Sequence, residues 1–248
     1  MFSSSNNPFM KEEAYRKSSN EILDAGLIDK GERMTVQGAI NKSFILFGIM
    51  MLTTLVSFAY PSPLFMWGGA IGGLVVVLIA SFKTHLSATL APIYALLEGL
   101  CVGSVTAIYA AGFGGGIIFH AVTLTFALLF AMLFIYKTGI IKVTNKFRTG
   151  VVMATGAVLL VYLLSFVLGF FGISVPYLHQ GGMIGIGISL VIIGVATLNL
   201  LLDFDNFEKG EQYGAPAYME WFSAMGLLIT LVWLYFEILR LLSILNRD

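Results

Sequence analysis

Residues 64–82, LFMWGGAIGGLVVVLIASF, run from Leu64 to Phe82 without one charged side chain, and their reading decides the fold. About 20 apolar residues in a helix cross a hydrocarbon core about 30 Å thick. Six further stretches match this one: Ser43–Tyr60, Ala88–Ala111, Gly116–Tyr136, Val151–Phe171, Gly182–Leu202 and Trp221–Leu245. Backbone N–H and C=O groups need partners inside lipid, which leaves helices or closed barrels, and uninterrupted apolar runs lack the alternation of barrel strands. The sequence therefore predicts an all-α polytopic membrane protein. Residues 36–248 form a seven-transmembrane-helix bundle behind a polar cytoplasmic arm at 1–35, and the lipid bilayer is its first partner.

Composition agrees: 58% of the 248 residues are hydrophobic and 11% charged, outside the balance of a water-soluble domain. The arm carries mixed charge and lacks the apolar core of a cleavable secretory signal. The single cysteine, Cys101, lies inside an apolar run and reads as a small packing residue. Short connections rich in turn formers, Pro61-Ser62-Pro63, Gly112 to Gly116 and Gly172 to Gly182, make successive spans antiparallel hairpins. Glycines four residues apart, Gly68/Gly72, Gly69/Gly73, Gly99/Gly103 and Gly181/Gly185, line single helix faces and predict close packing.

Charge is uneven. The 137–150 loop carries Lys137, Lys142, Lys146 and Arg148 with no acid, whereas connections 61–63, 112–115 and 172–181 carry no lysine or arginine. Basic loops stay on the cytoplasmic side, which places the N-terminus inside with Lys30, Arg33, Lys42, Lys83 and the 137–150 loop; seven spans then put the C-terminus outside. The basic loop faces anionic lipid head groups.

An ionisable group at the bilayer centre costs about 2.5–3.5 kcal/mol on insertion scales, so each one needs a partner, water or a neutral state. Glu98 lies within the third span with no basic residue within a turn. Glu237 and Arg240 lie in the seventh, one helical turn apart, where they can neutralise each other. Asp203 and Asp205 close the sixth, and the 203–220 segment carries five acids against one lysine, with Asp203 expected at the membrane boundary. Carboxylates placed close together cannot both ionise cheaply, which makes them proton-sensitive. They are also hard-oxygen ligands suited to transient Ca²⁺, although Phe207 and Glu208 break the EF-hand pattern.

The chain lacks H-E-x-x-H, G-x-S-x-G and P-loop motifs, and His85, His120 and His179 are scattered, so no enzyme, firm metal site or cofactor is predicted. Low lysine and arginine content argues against a nucleic-acid partner.

Three stretches carry a family resemblance. They are Ala91-Pro92-Ile93-Tyr94-Ala95-Leu96-Leu97-Glu98-Gly99, Leu202-Asp203-Phe204-Asp205, and a tail with Ala215-Pro216-Ala217-Tyr218-Met219-Glu220-Trp221 and Thr230 to Leu242. Together they resemble the bacterial branch of the Bax inhibitor (transmembrane Bax inhibitor motif) family. The resemblance implies a seven-helix protein of a bacterial inner (cell) membrane, acting as a pH-sensitive calcium leak. In that reading an acid ending helix six and an acid in helix seven share a proton and gate the pore. Asp203 matches the helix-six acid. Leu234-Tyr235-Phe236-Glu237 resembles the family's Leu-Tyr-apolar-Asp, yet Glu237 lies about 24 Å along a helix starting at Trp221, and Glu220 sits closer in depth to Asp203. The proton-sensing set is Asp203, Asp205 and Glu237, with Glu98, Glu220, Arg240 and Lys83, the last ending the second span, as candidate partners. The alternative is a non-transporting membrane protein that docks on and modulates a protease or stress-response complex through arm 1–35 and an exposed 203–220 segment. A third reading has the acids simply paired with Lys83 and Arg240 inside the bundle.

Overall fold

The computed structural model describes residues 33–171 and 182–246. Most of the polar arm, the 172–181 connection with His179 and Gly181, and Arg247 lie outside the described residues. Among the described residues seven helices are long and apolar enough to cross a membrane. They are α1 (Val36–Ala59), α2 (Pro63–Phe82), α3 (Ser87–Phe113), α4 (Gly116–Thr138), α5 (Asn145–Phe170), α6 (Met183–Gln212) and α7 (Tyr218–Leu245), with a 3₁₀ turn at Thr84–Leu86 before α3. The predicted all-α architecture is observed.

Local chemistry sets the helix ends. The Thr35 hydroxyl accepts from Gly38 N and caps α1, and Thr144 caps α5 through Phe147 N. Pro63 opens α2, where its missing N–H leaves nothing unsatisfied. Gly139, at φ 69°, closes α4 in the left-handed region.

Three boundaries depart clearly from expectation: α1 begins at Val36 rather than Ser43, α5 at Asn145 rather than Val151, and α6 ends late. Composition ends the sixth span at Leu202, but α6 runs on to Gln212. Nothing between Asp203 and Lys209 breaks a helix, and the stop comes at Gly214. There Ala215 N donates to Gly210 O and Gly214 N to Glu211 O, both at 3.0 Å, with Gly214 at φ 63°. That pair of bonds is the Schellman cap, and it needs a residue tolerant of positive φ at its turn.

The described chain falls into two compact units. One holds residues up to Ile108 together with Asp203–Ile229; the other holds Tyr109–Leu202 and the residues from Thr230 onward. In the first, α1 and α3 touch along the predicted glycine face. A Cβ at Gly103 would strike the Thr54 carbonyl and come within 2.9 Å of Phe58 N, and one at Gly99 would strike Met50 O and Thr53. Close approach lets the Ser57 hydroxyl reach Leu100 O and Ser104 Oγ, each at 2.6 Å, while Thr54 donates to Gly99 O at 3.2 Å. Gly69 meets α3 in the same way at Leu97 O and Cys101, but Gly68 faces open space.

In the second unit Asn199 on α6 donates to Thr155 on α5 at 2.7 Å. Only 6% of the apolar window of α5 is buried, against 61% for α7.

Candidate functional site

The acidic stretch beginning at Asp203 is helical and enclosed. Asp203 is 2% exposed and Asp205 9%, and Phe204, Asn206 and Phe207 are buried with them. Five consecutive buried residues cover more than one turn, so protein surrounds this part of α6 on every side. Asp203 lies nine residues before Gln212, about 14 Å inside the helix end. Lys209 pairs with Asp205 at 3.3 Å, one turn on. Glu208 and Glu211 are exposed, and Glu211 accepts from Val36 N at 3.3 Å. The 203–220 segment, expected to be exposed, is so only in part: Asp203 and Asp205 are buried in the continuing helix, while Glu208 and Glu211 stay exposed.

Glu220, two residues into α7, is 4% exposed and held by the start of α1. Its Oε1 accepts from Thr35 N at 2.9 Å and from Thr35 Oγ1 at 3.1 Å, while Lys42 Nζ pairs with Oε2 at 2.6 Å and sits 5.7 Å from the Trp221 ring centroid. A carboxylate at a helix N-terminus meets orphan N–H groups and the positive end of the dipole. Gly38 provides the space, since a Cβ there would overlap the carboxylate. Met34 N donates to Ala215 O at 2.7 Å and Arg33 bridges Pro216, tying the residues before α1 to the α6–α7 turn. Lys42 as partner of Glu220 escapes sequence reasoning; a lone lysine beside an otherwise apolar span was the available signal.

In the second unit Glu237 is 5% exposed. Arg240 Nη2 lies 2.8 Å from its Oε2, the Tyr162 hydroxyl donates to its Oε1, and the Arg240 guanidinium sits 5.6 Å from the Tyr162 ring centroid. The predicted one-turn neutralisation is present, and Tyr162 adds a donor that spacing cannot reveal. Its signal was a phenol deep in a span, away from the interfacial belt where tyrosines gather. Oε1 is thereby hydrogen-bonded, while Oε2 meets Arg240 at ion-pair distance without a hydrogen bond.

Glu98 lies midway along α3 against Gly73 of α2. Lys83 does not act as the basic partner within the described residues: its N–H closes α2 on Ile79 O at 2.8 Å and its side chain is exposed. His85 and His120 are exposed and apart from both clusters, His120 bonding Gly116 O.

What the geometry offers is a set of carboxylates held inside an integral membrane protein, some matched by fixed cations. The family described as Bax inhibitor 1 like matches the chain over residues 3–247. No curated protein matches it.

Proposed function

We propose, from the premise that the chain belongs to the Bax inhibitor 1 like family, that it is a pH-sensitive leak for calcium or related cations, gated by carboxylates on α6 and α7. The observation that carries this reading is the burial of Asp203, Asp205 and Glu237, none more than 9% exposed, in helices that are otherwise largely apolar. Ionisable residues at such positions are retained at a cost and mark ion or proton paths.

Charged Asp203 and Asp205 attract a divalent cation, which passes through as cargo and leaves no resident cofactor. The protein performs no enzymatic step. Charged Glu237 grips Arg240 and accepts from Tyr162, so protonating it dissolves the ion pair and loosens α5 from α7. Protonation therefore weakens the latch while also discharging the aspartates that draw cations in, and the balance makes flux depend on pH. Supporting orientation, the acid-free 137–150 loop keeps the N-terminus cytoplasmic in a bacterial inner membrane. The alternative, a membrane partner of a protease or stress-response complex, would dock through arm 1–35 and the 203–220 segment, in which Glu208 and Glu211 are exposed and residues 203–207 are buried.

Purified full-length protein in phospholipid vesicles loaded with a calcium indicator tests the reading. Wild type conducts with a pH-dependent rate, and Asp203→Asn lowers it. Equal flux from wild type and Asp203→Asn at every pH removes this residue from the mechanism; no flux above empty vesicles at any pH removes the leak.

A further inference from the structure

We propose that Glu98, a carboxyl built into the seam between α2 and α3, is a site of covalent modification by hydrophobic carbodiimides. It lies 11 residues after Ser87 and 15 before Phe113, about 17 Å and 22 Å from the two ends of α3. Its carboxyl rests on bare backbone: Oε2 is 3.0 Å from the point where a Cβ on Gly73 would stand, and two Tyr94 ring carbons are 3.6 and 3.7 Å from the same point.

The contrast with the other membrane acids carries the inference. Glu220 has Lys42 and two donors from Thr35; Glu237 has Arg240 and Tyr162. Among the described residues no cation or hydrogen-bond donor reaches Glu98. Helix α2, packed against it, contains no titratable side chain, and the one titratable residue of α1, Lys42, is committed to Glu220. The ionisable groups facing Glu98 are Tyr94 and Cys101 of its own helix, and neither supplies positive charge. Covering a bare carboxylate with nothing in exchange for its hydration costs far more than covering the neutral acid. Glu98 is only partly covered, which leaves a small reagent room to reach it.

Hydrophobic carbodiimides select such groups. The carboxyl gives its proton to one carbodiimide nitrogen as its oxygen bonds to the central carbon, forming an O-acylisourea. The acyl group then migrates to the other nitrogen to give a stable N-acylurea, with every atom retained and no change of oxidation state. Exclusion of water favours that migration over hydrolysis.

The test uses full-length protein in phospholipid vesicles exposed to N,N′-dicyclohexylcarbodiimide, followed by proteolysis and peptide mass spectrometry. The adduct is expected on Glu98, with none on Glu220 or Glu237, and a water-soluble carbodiimide with glycine ethyl ester leaves Glu98 unmodified. Infrared spectra of the same vesicles at neutral pH show the carbonyl stretch of a protonated acid, lost in Glu98→Gln. An unmodified Glu98 in wild type, equal modification of Glu98 and Glu237, or efficient labelling of Glu98 by the water-soluble reagent overturns the proposal. Wild-type labelling decides the matter even where the variant fails to fold, and neither readout depends on ion flux.

Discussion

Tyr162 on α5 donates its hydroxyl to the same Glu237 carboxylate that Arg240 neutralises from the next turn of α7. Two helices are thereby joined through one acid, and the guanidinium also lies over the phenol ring at 5.6 Å. Tyr162→Phe keeps the ring and deletes only the donor. A hydrogen bond to a charged group contributes about 1.5–3 kcal/mol, and the variant should lose an amount within that range while retaining the cation–π contact. Thermal unfolding in detergent measures the loss. On the leak reading, vesicle flux at neutral pH rises in the same variant, because the latch is weaker before any proton arrives.

Removing the charge of Glu237 tests the ion pair itself. Glu237→Gln strands the Arg240 guanidinium, whose side chain is only 19% exposed. Breaking a buried pair from one side costs about 3–5 kcal/mol, and the low end applies here because Arg240 keeps some exposure and its aromatic face. Glu237→Gln combined with Arg240→Leu should recover most of that loss, since no uncompensated charge remains. A double-mutant cycle by chemical denaturation reads the coupling; additive losses would show that the two residues act independently.

These two predictions also mark where sequence was informative. Lipid forces each crossing segment to be a continuous apolar run, so the existence and order of the seven helices are legible, and so is Glu237–Arg240, because one helical turn is a local spacing. The extension of α6 is not legible. Polar composition from Asp203 onward points to a loop, and only burial of Asp203, Asp205 and Asn206 by tertiary neighbours lets that polar stretch stay helical and enclosed. Tyr162 and Lys42 are hidden for a related reason: they lie 75 and 178 residues from the acids they contact, and no local pattern encodes such a pairing.

Close packing of α1 on α3 makes Gly103 intolerant. A Cβ there meets backbone, the Thr54 carbonyl and Phe58 N, rather than a side chain that can swing aside. Gly103→Ala must push the helices apart and break the bonds from Ser57 to Leu100 O and Ser104. Overpacking of this kind costs about 1–3 kcal/mol. Gly68→Ala, on α2 where nothing lies within 4 Å, should be neutral by the same thermal assay. Equal stability of the two variants would contradict the packing described.

Thr35 performs two tasks with one hydroxyl, and the two can be separated. Its oxygen accepts from Gly38 N to cap α1, and its proton goes to Glu220 Oε1 at 3.1 Å. Thr35→Ser preserves both and should leave stability unchanged, whereas Thr35→Ala deletes both. Loss of an N-cap alone costs about 1 kcal/mol, and Glu220 additionally loses one of its donors while keeping Thr35 N and Lys42. Lys42→Met then removes the cation and leaves the carboxylate, 4% exposed, facing only the α1 N-terminus. The helix dipole offsets part of that loss but contributes only about 0.3–1 kcal/mol. Lys42→Met should therefore destabilise more than Thr35→Ala, and Glu220→Gln in the Lys42→Met background should recover stability by removing the stranded charge. If Lys42→Met proves neutral, the Lys42–Glu220 pair contributes nothing net and the anchoring of α1 rests on Thr35 alone.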